Sequence, residues 1–151
     1  MIVVVTAIEN NIIGRHGQLP YKLKDNDAFF KRLTIGKVVI MDKKTYKTHG
    51  GLKSSRNIVI GKCGRFEDFE SFETIEEASH NYPLCYVIDG DQVIKNAWHM
   101  MDTLYVTRLQ SDSSVLDIPK DMRLVNTFCF DANNNNEQPF RIEEWRRIKP
   151  F

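Results

Sequence analysis

Apolar positions in this chain fall in short runs. Residues 2–8 (IVVVTAI), 37–41 (KVVIM), 56–61 (RNIVIG), 85–89 (CYVID) and 103–109 (TLYVTRL) are rich in β-branched and aromatic side chains. The first four are nearly continuous apolar runs, the mark of strands covered on both faces. Between them lie segments with helical spacing. Residues 25–33 place Phe29, Phe30 and Leu33 on one side, 42–48 form a short candidate, and 91–98 close the series. Thr74-Ile-Glu-Glu77 fits a capping box and opens a helix to about Asn81. Strand and helix in alternation predict an α/β domain with a mostly parallel sheet. At the C-terminal end LVNTFCF and FRIEEW flank DANNNNEQP, so an antiparallel hairpin turning at residues 133–136 is expected. No linker interrupts residues 1–151, which read as a single domain with no internal repeat.

Composition narrows the function classes. The 151 residues are 42% hydrophobic, enough to bury a core, and 21 Lys plus Arg face 20 Asp plus Glu. A net charge of +1 argues against a dedicated nucleic-acid or membrane-surface binder. Cys63, Cys85 and Cys129 are odd in number and far apart, as free thiols in a reducing compartment are. MIVVVTAIE has no basic n-region, and its apolar run is too short for a signal peptide or a membrane span. A cytoplasmic protein is expected. His16, His49, His80 and His99 show no ligand spacing, so no metal site is expected, and no Walker, GxSxG or Cys-His arrangement is present. The basic run from Trp145 to Lys149 reads as the solvated face of the last strand.

Ligands of open α/β sheets sit beyond the carboxyl ends of the strands. Loops 13–23, 42–45 and 89–93 lie there and carry four recognisable stretches. IIGRHGQLPYKLKDNDAFFKR, IMDKKTY, YVIDGDQVI and TLYVTRL resemble, in order and spacing, the motifs of the dihydrofolate reductase family. The resemblance implies that family's fold and an NADPH-dependent reduction of 7,8-dihydrofolate to tetrahydrofolate in a cleft. It places Val5, Thr6, Ala7, Tyr21, Phe30, Ile88 and Thr107 around the substrate. Ala7, Ile13, Lys43, Lys44, Thr45, Asp89, Gly90 and Gln92 fall toward the cofactor. A small-molecule substrate and a monomer are expected.

Several motif positions depart from the family's pattern. Its pterin-contacting acid lies six places after the L-P-W proline, and counting from Pro20 gives Asn26, between Asp25 and Asp27. Neighbours on a helix differ by about 100°, so Asp25 and Asp27 are expected to point away from whatever Asn26 faces. An amide hydrogen-bonds a pterin but carries no titrating proton. Alternatively, Asp25 or Asn26 merely caps the helix. The family's Gly-Gly turn is Asp89-Gly90, followed by Asp91, and its I-M-G-R is Ile40-Met41-Asp42-Lys43. Carboxylates at these positions oppose a phosphate, so NADPH binding is expected to be weak or absent. The arginine that holds the substrate's α-carboxylate falls on Ser55, with Arg56 one place on, and the nicotinamide-side tyrosine falls on Ile94. Two readings follow: a reductase of impaired or absent turnover, or a catalytically inactive binding protein with an unidentified protein partner.

Overall fold

Residues Ile2–Glu9 form β1, and all but its last residue are buried. Such a strand has no polar face to give to water, so it lies mid-sheet. The computed structural model describes residues 1–14, 18–62 and 69–148; His16, Cys63 and Lys149 lie outside them. Asn10 and Asn11 both take positive φ (51° and 67°) in a two-residue turn that folds β2 (Ile12–Ile13) back on β1. A two-residue hairpin needs this left-handed pair, which Asn tolerates well. After α1 (Lys24–Thr34) come β3 (Val38–Asp42), α2 (Lys43–His49), β4 (Arg56–Ile60), β5 (Glu70–Phe72) and α3 (Ile75–Asn81). Then follow β6 (Cys85–Val87), α4 (Asp91–Ala97), β7 (Thr103–Leu109), β8 (Met122–Phe130) and β9 (Phe140–Arg147).

The sheet runs β5-β4-β3-β6-β1-β7-β9-β8, with β2 paired to β1 off this path. Neighbours from β5 to β7 are parallel, and β7-β9 and β9-β8 are antiparallel. The chain is thus an α/β domain with a mostly parallel sheet and an antiparallel C-terminal hairpin. One core face joins Ile2, Val4, Ile40, Ile58 and Val87 to Ile75, Ile94 and Ala97 of α3 and α4. Fully burying a side chain of this size is worth about 1.5–3 kcal/mol, so this face holds the two helices on. The Asn run lies in the loop between β8 and β9, where Asn133 Oδ1 accepts from the Asn135 and Asn136 amides at 2.8 and 3.1 Å.

A polar cluster is buried beside β7 and β9. Arg108 lies 3.4 Å from both Glu143 and Asp112 and also donates to the Ser114 carbonyl. Arg141 Nε donates to Glu143 Oε2 at 2.9 Å, and Trp145 Nε1 to Glu143 Oε1 at 3.1 Å. Asp112 also accepts from the amides of Asn10 and Ser114 at 3.0 and 2.9 Å. Burial alone would raise the Asp112 carboxyl, but the Ser114 hydroxyl and amide, the Asn10 amide and Arg108 together bring it down to about 2. The cluster ties the β1–β2 turn to the far strands.

Candidate functional site

The start of α1 is set by a residue more than a hundred places away. Leu23 stands at its N-cap and offers no side-chain hydrogen bond. Asn136 supplies one, its Oδ1 accepting from the Asp25 amide at 3.2 Å and its Nδ2 donating to Asp25 Oδ2 at 2.8 Å. Lys24 N donates to the Asn135 carbonyl at 3.0 Å. Neither Asp25 nor Asn26 therefore caps the helix, and Asp25 is turned toward the hairpin loop. One step along, Asn26 faces inward, and its Oδ1 accepts from Thr107 Oγ1 at 2.7 Å.

Asn26 belongs to the wall of a cleft of about 410 Å³. Asp27, Phe29 and Phe30 of α1 complete that wall, facing Val5 and Thr6 of β1 and Ile88 and Asp89 after β6. Met41, Thr45, His49, Gly50, Gly51 and Leu52 close one end, and Tyr105, Thr107, Ile142 and Gln18 the other surfaces. Asp27 corrects the expectation that it turns away. It lies three residues before Phe30, and residues three and four apart share a helix face, so the 100° step from Asn26 does not carry it out of the cleft. Burial pushes its carboxyl above the ordinary value. Thr6 Oγ1 is buried and has no hydrogen-bond partner among the described residues, a donor left over for a ligand.

Other residues singled out in the sequence lie elsewhere. Ala7 and Tyr21 pack with Leu19, Leu23 and Phe140 under the loop, and Gly14 N donates to the Ala7 carbonyl at 2.8 Å. Ile13 lines a second cavity of about 450 Å³ with Ile8, Trp98 and Leu116. Lys43 and Lys44 open α2 outside the described lining of the first cleft, and Gln92 is engaged with Asn96 at 2.9 Å. Ile94 is buried in the main core. Thr45 and Asp89 do reach the cleft.

The turn after β6 is filled by carboxylates. Asp89 Oδ1 accepts from the Gly90 amide at 2.6 Å. Asp42 caps α2 through the Thr45 amide at 2.7 Å, and its carboxylate lies where a side chain on Gly90 would begin, 2.9 Å from that Cβ position. With φ at +99°, Gly90 suits only glycine on both counts. At the opposite end, Ser55 Oγ donates to the Thr34 carbonyl at 2.7 Å and ties the 50–56 loop to the end of α1. Arg56 points away from the cleft, paired with Glu70 at 3.0 Å and lying 4.9 Å over Tyr82. Among the described residues no group of three or more His, Cys, Asp or Glu side chains is placed to hold a metal ion. Nor is any described helix long and apolar enough to cross a membrane.

Sequence reasoning missed Asp27, Phe29, His49, Leu52 and Tyr105. The Phe-Phe pair was a usable signal, because both rings cannot enter one core: Phe29 meets Tyr105 and Phe128 at 6.0 and 5.3 Å, while Phe30 packs toward Met41 and Ile88.

A mostly parallel sheet with a cleft across the ends of β1, β3 and β6, walled by the first helix, defines a small-molecule-binding α/β protein. The family model described as dihydrofolate reductase matches residues 1–147. Dihydrofolate reductase of Haemophilus influenzae is 32% identical over 116 residues, covering 74% of this chain and 72% of that protein. The Bacillus subtilis enzyme is 29% identical over 119 residues, 74% of this chain and 71% of that one. In three dimensions the fold is similar to dihydrofolate reductase from Enterococcus faecalis complexed with NADP(H) and RAB-propyl. That match has a TM-score of 0.80 and 21% identity over 99% of this chain and 97% of the other. The chain belongs to the dihydrofolate reductase family.

Proposed function

We propose that the protein reduces a 7,8-dihydrofolate-type substrate with NADPH, at a turnover well below what a carboxyl at position 26 would give. The observation that supports this best is Asn26, fixed by Thr107 in the cleft wall beside Phe30. With its oxygen engaged by Thr107, the Asn26 amide group is left to hold a heterocycle by donation. Phe30, Ile88 and Met41 give that ring apolar surfaces and exclude water from them. NADPH, when bound, supplies the hydride. The Asn26 side chain cannot deliver the accompanying proton, which must come from water entering beside it or from another group.

For the cofactor the residues present fit unevenly. The Thr6 hydroxyl, unpartnered among the described residues, suits a ligand carboxamide. The Asp89-Gly90 turn does not suit a phosphate, since Asp89 occupies the Gly90 amide and Asp42 fills the space against it. A carboxylate about 4 Å from a phosphate charge costs about 1 kcal/mol in water and about 4 at an effective dielectric of 20. Asp89→Gly should therefore tighten NADPH binding at least fivefold or so in calorimetric titration. A wild-type dissociation constant in the low micromolar range or tighter would show these carboxylates to be harmless. The same turn favours the second reading, an inactive binding protein with a protein partner. Steady-state NADPH oxidation with dihydrofolate separates the two. A cytosolic, monomeric protein is the setting proposed for either.

A further inference from the structure

The charge of the cleft restricts its substrate, given the reductase reading above. Its described lining holds two carboxylates, Asp27 and Asp89, and one imidazole, His49, but no lysine or arginine. Arg56, near the rim in sequence, is held by Glu70 and Tyr82 on the far side of β4. The Arg32 guanidinium lies 5.9 Å over the Phe29 ring, on an exposed residue outside the lining. Between the carboxylates the walls are apolar and aromatic, from Phe29, Phe30, Leu52 and Ile88. A substituent carrying carboxylates would be stripped of water against these walls with no described lysine or arginine in the lining to receive it, and it would lie beside the Asp27 carboxylate.

We propose that the cleft selects a reduced pterin whose substituent carries no anion, a neutral or cationic unconjugated dihydropterin, over one that ends in glutamate. Asp27 is the specificity-determining residue. It lines the cleft on the α1 wall with Phe30, so a substituent that runs along that wall meets it, and Asp27 either repels a carboxylate there or accepts a hydrogen bond from a hydroxyl or amine. Two like charges about 6 Å apart weaken binding by about threefold in water and about 100-fold at an effective dielectric of 20, so an effect near tenfold is expected.

The test compares 7,8-dihydrofolate with a 7,8-dihydropterin bearing only a hydroxymethyl substituent. Each is titrated calorimetrically into the NADPH-saturated protein and assayed by NADPH oxidation. Wild-type protein should bind the dihydropterin at least as tightly as dihydrofolate. Asp27→Asn should tighten dihydrofolate about tenfold while the hydroxymethyl dihydropterin gains nothing, since for it the variant only exchanges a carboxylate acceptor for an amide one, and the dihydrofolate gain should shrink in high salt. A tenfold wild-type preference for dihydrofolate, or an equal effect of Asp27→Asn on both ligands, overturns the assignment and leaves the reductase reading standing. If neither pterin binds or is reduced, the reductase reading falls and this inference falls with it.

Discussion

Asn26→Asp should raise NADPH-dependent turnover near neutral pH by about 10²-fold or more, because general acid catalysis by a positioned group contributes about 10²–10⁴ in rate. The substitution is nearly isosteric, and the Thr107 hydroxyl that donates to Asn26 Oδ1 at 2.7 Å would donate equally to a carboxylate. Geometry is thus retained while a titrating proton is added. Burial in the cleft and the neighbouring Asp27 carboxylate would both lift the new carboxyl toward the working pH. The two groups would titrate as a pair, and the pH profile of kcat should show an added limb absent from the wild type. Steady-state NADPH oxidation at several pH values checks both points. No gain in an enzyme that binds both ligands would place the defect in their relative geometry.

Arg108→Met should cost about 1.5–3 kcal/mol of folding stability, since it takes one charged partner from each of two buried carboxylates and leaves Glu143 to Arg141 and Trp145 and Asp112 to the Asn10 and Ser114 donors. Urea unfolding at neutral pH measures it, and a shift under 1 kcal/mol or so would mean that water or another cation fills the gap. Acid should act on the same cluster. The folded Asp112 carboxyl sits at about 2 against an ordinary 3.8, so it favours the fold above about pH 4. That contribution, about 2 kcal/mol, fades as the pH falls from about 4 to 2. Asp112→Asn should unfold more readily than wild type at pH 7 and lose less stability than wild type between pH 5 and 2.

Much of the parallel sheet was legible because strands buried on both faces are nearly continuous apolar runs, as β1 and β3 are but for Thr6, Glu9 and Asp42. β5 was not: Glu-Ser-Phe has no pattern, and only pairing with β4 at the sheet edge makes it a strand. The helix start at Lys24 was equally hidden, because its cap comes from Asn136 rather than from any nearby residue. In the site, the register that put Asn26 at a motif position was readable by counting. The reach of Asp27 into the same cleft was not, because helix azimuths set direction while the breadth of a cleft depends on what stands opposite. That Arg56 turns from the cleft was readable from its register, one place past Ser55, but its partner was not, since Glu70 lies on β5, the strand the sequence concealed.

The bond between α1 and the Asn run has a consequence for the order in which the protein is made. Synthesis releases Asn26 early, yet the amides just before it are held by Asn135 and Asn136. Contacts of such long sequence separation form slowly and late. Residues 1–109 can emerge from the ribosome and begin to pair their parallel strands, while the first turn of α1 still lacks its anchor. The α1 wall of the cleft can therefore be anchored only after nearly all of the described chain has been translated, and in a nascent chain stalled before residue 133 the amides of Lys24 and Asp25 should exchange faster than in the released protein.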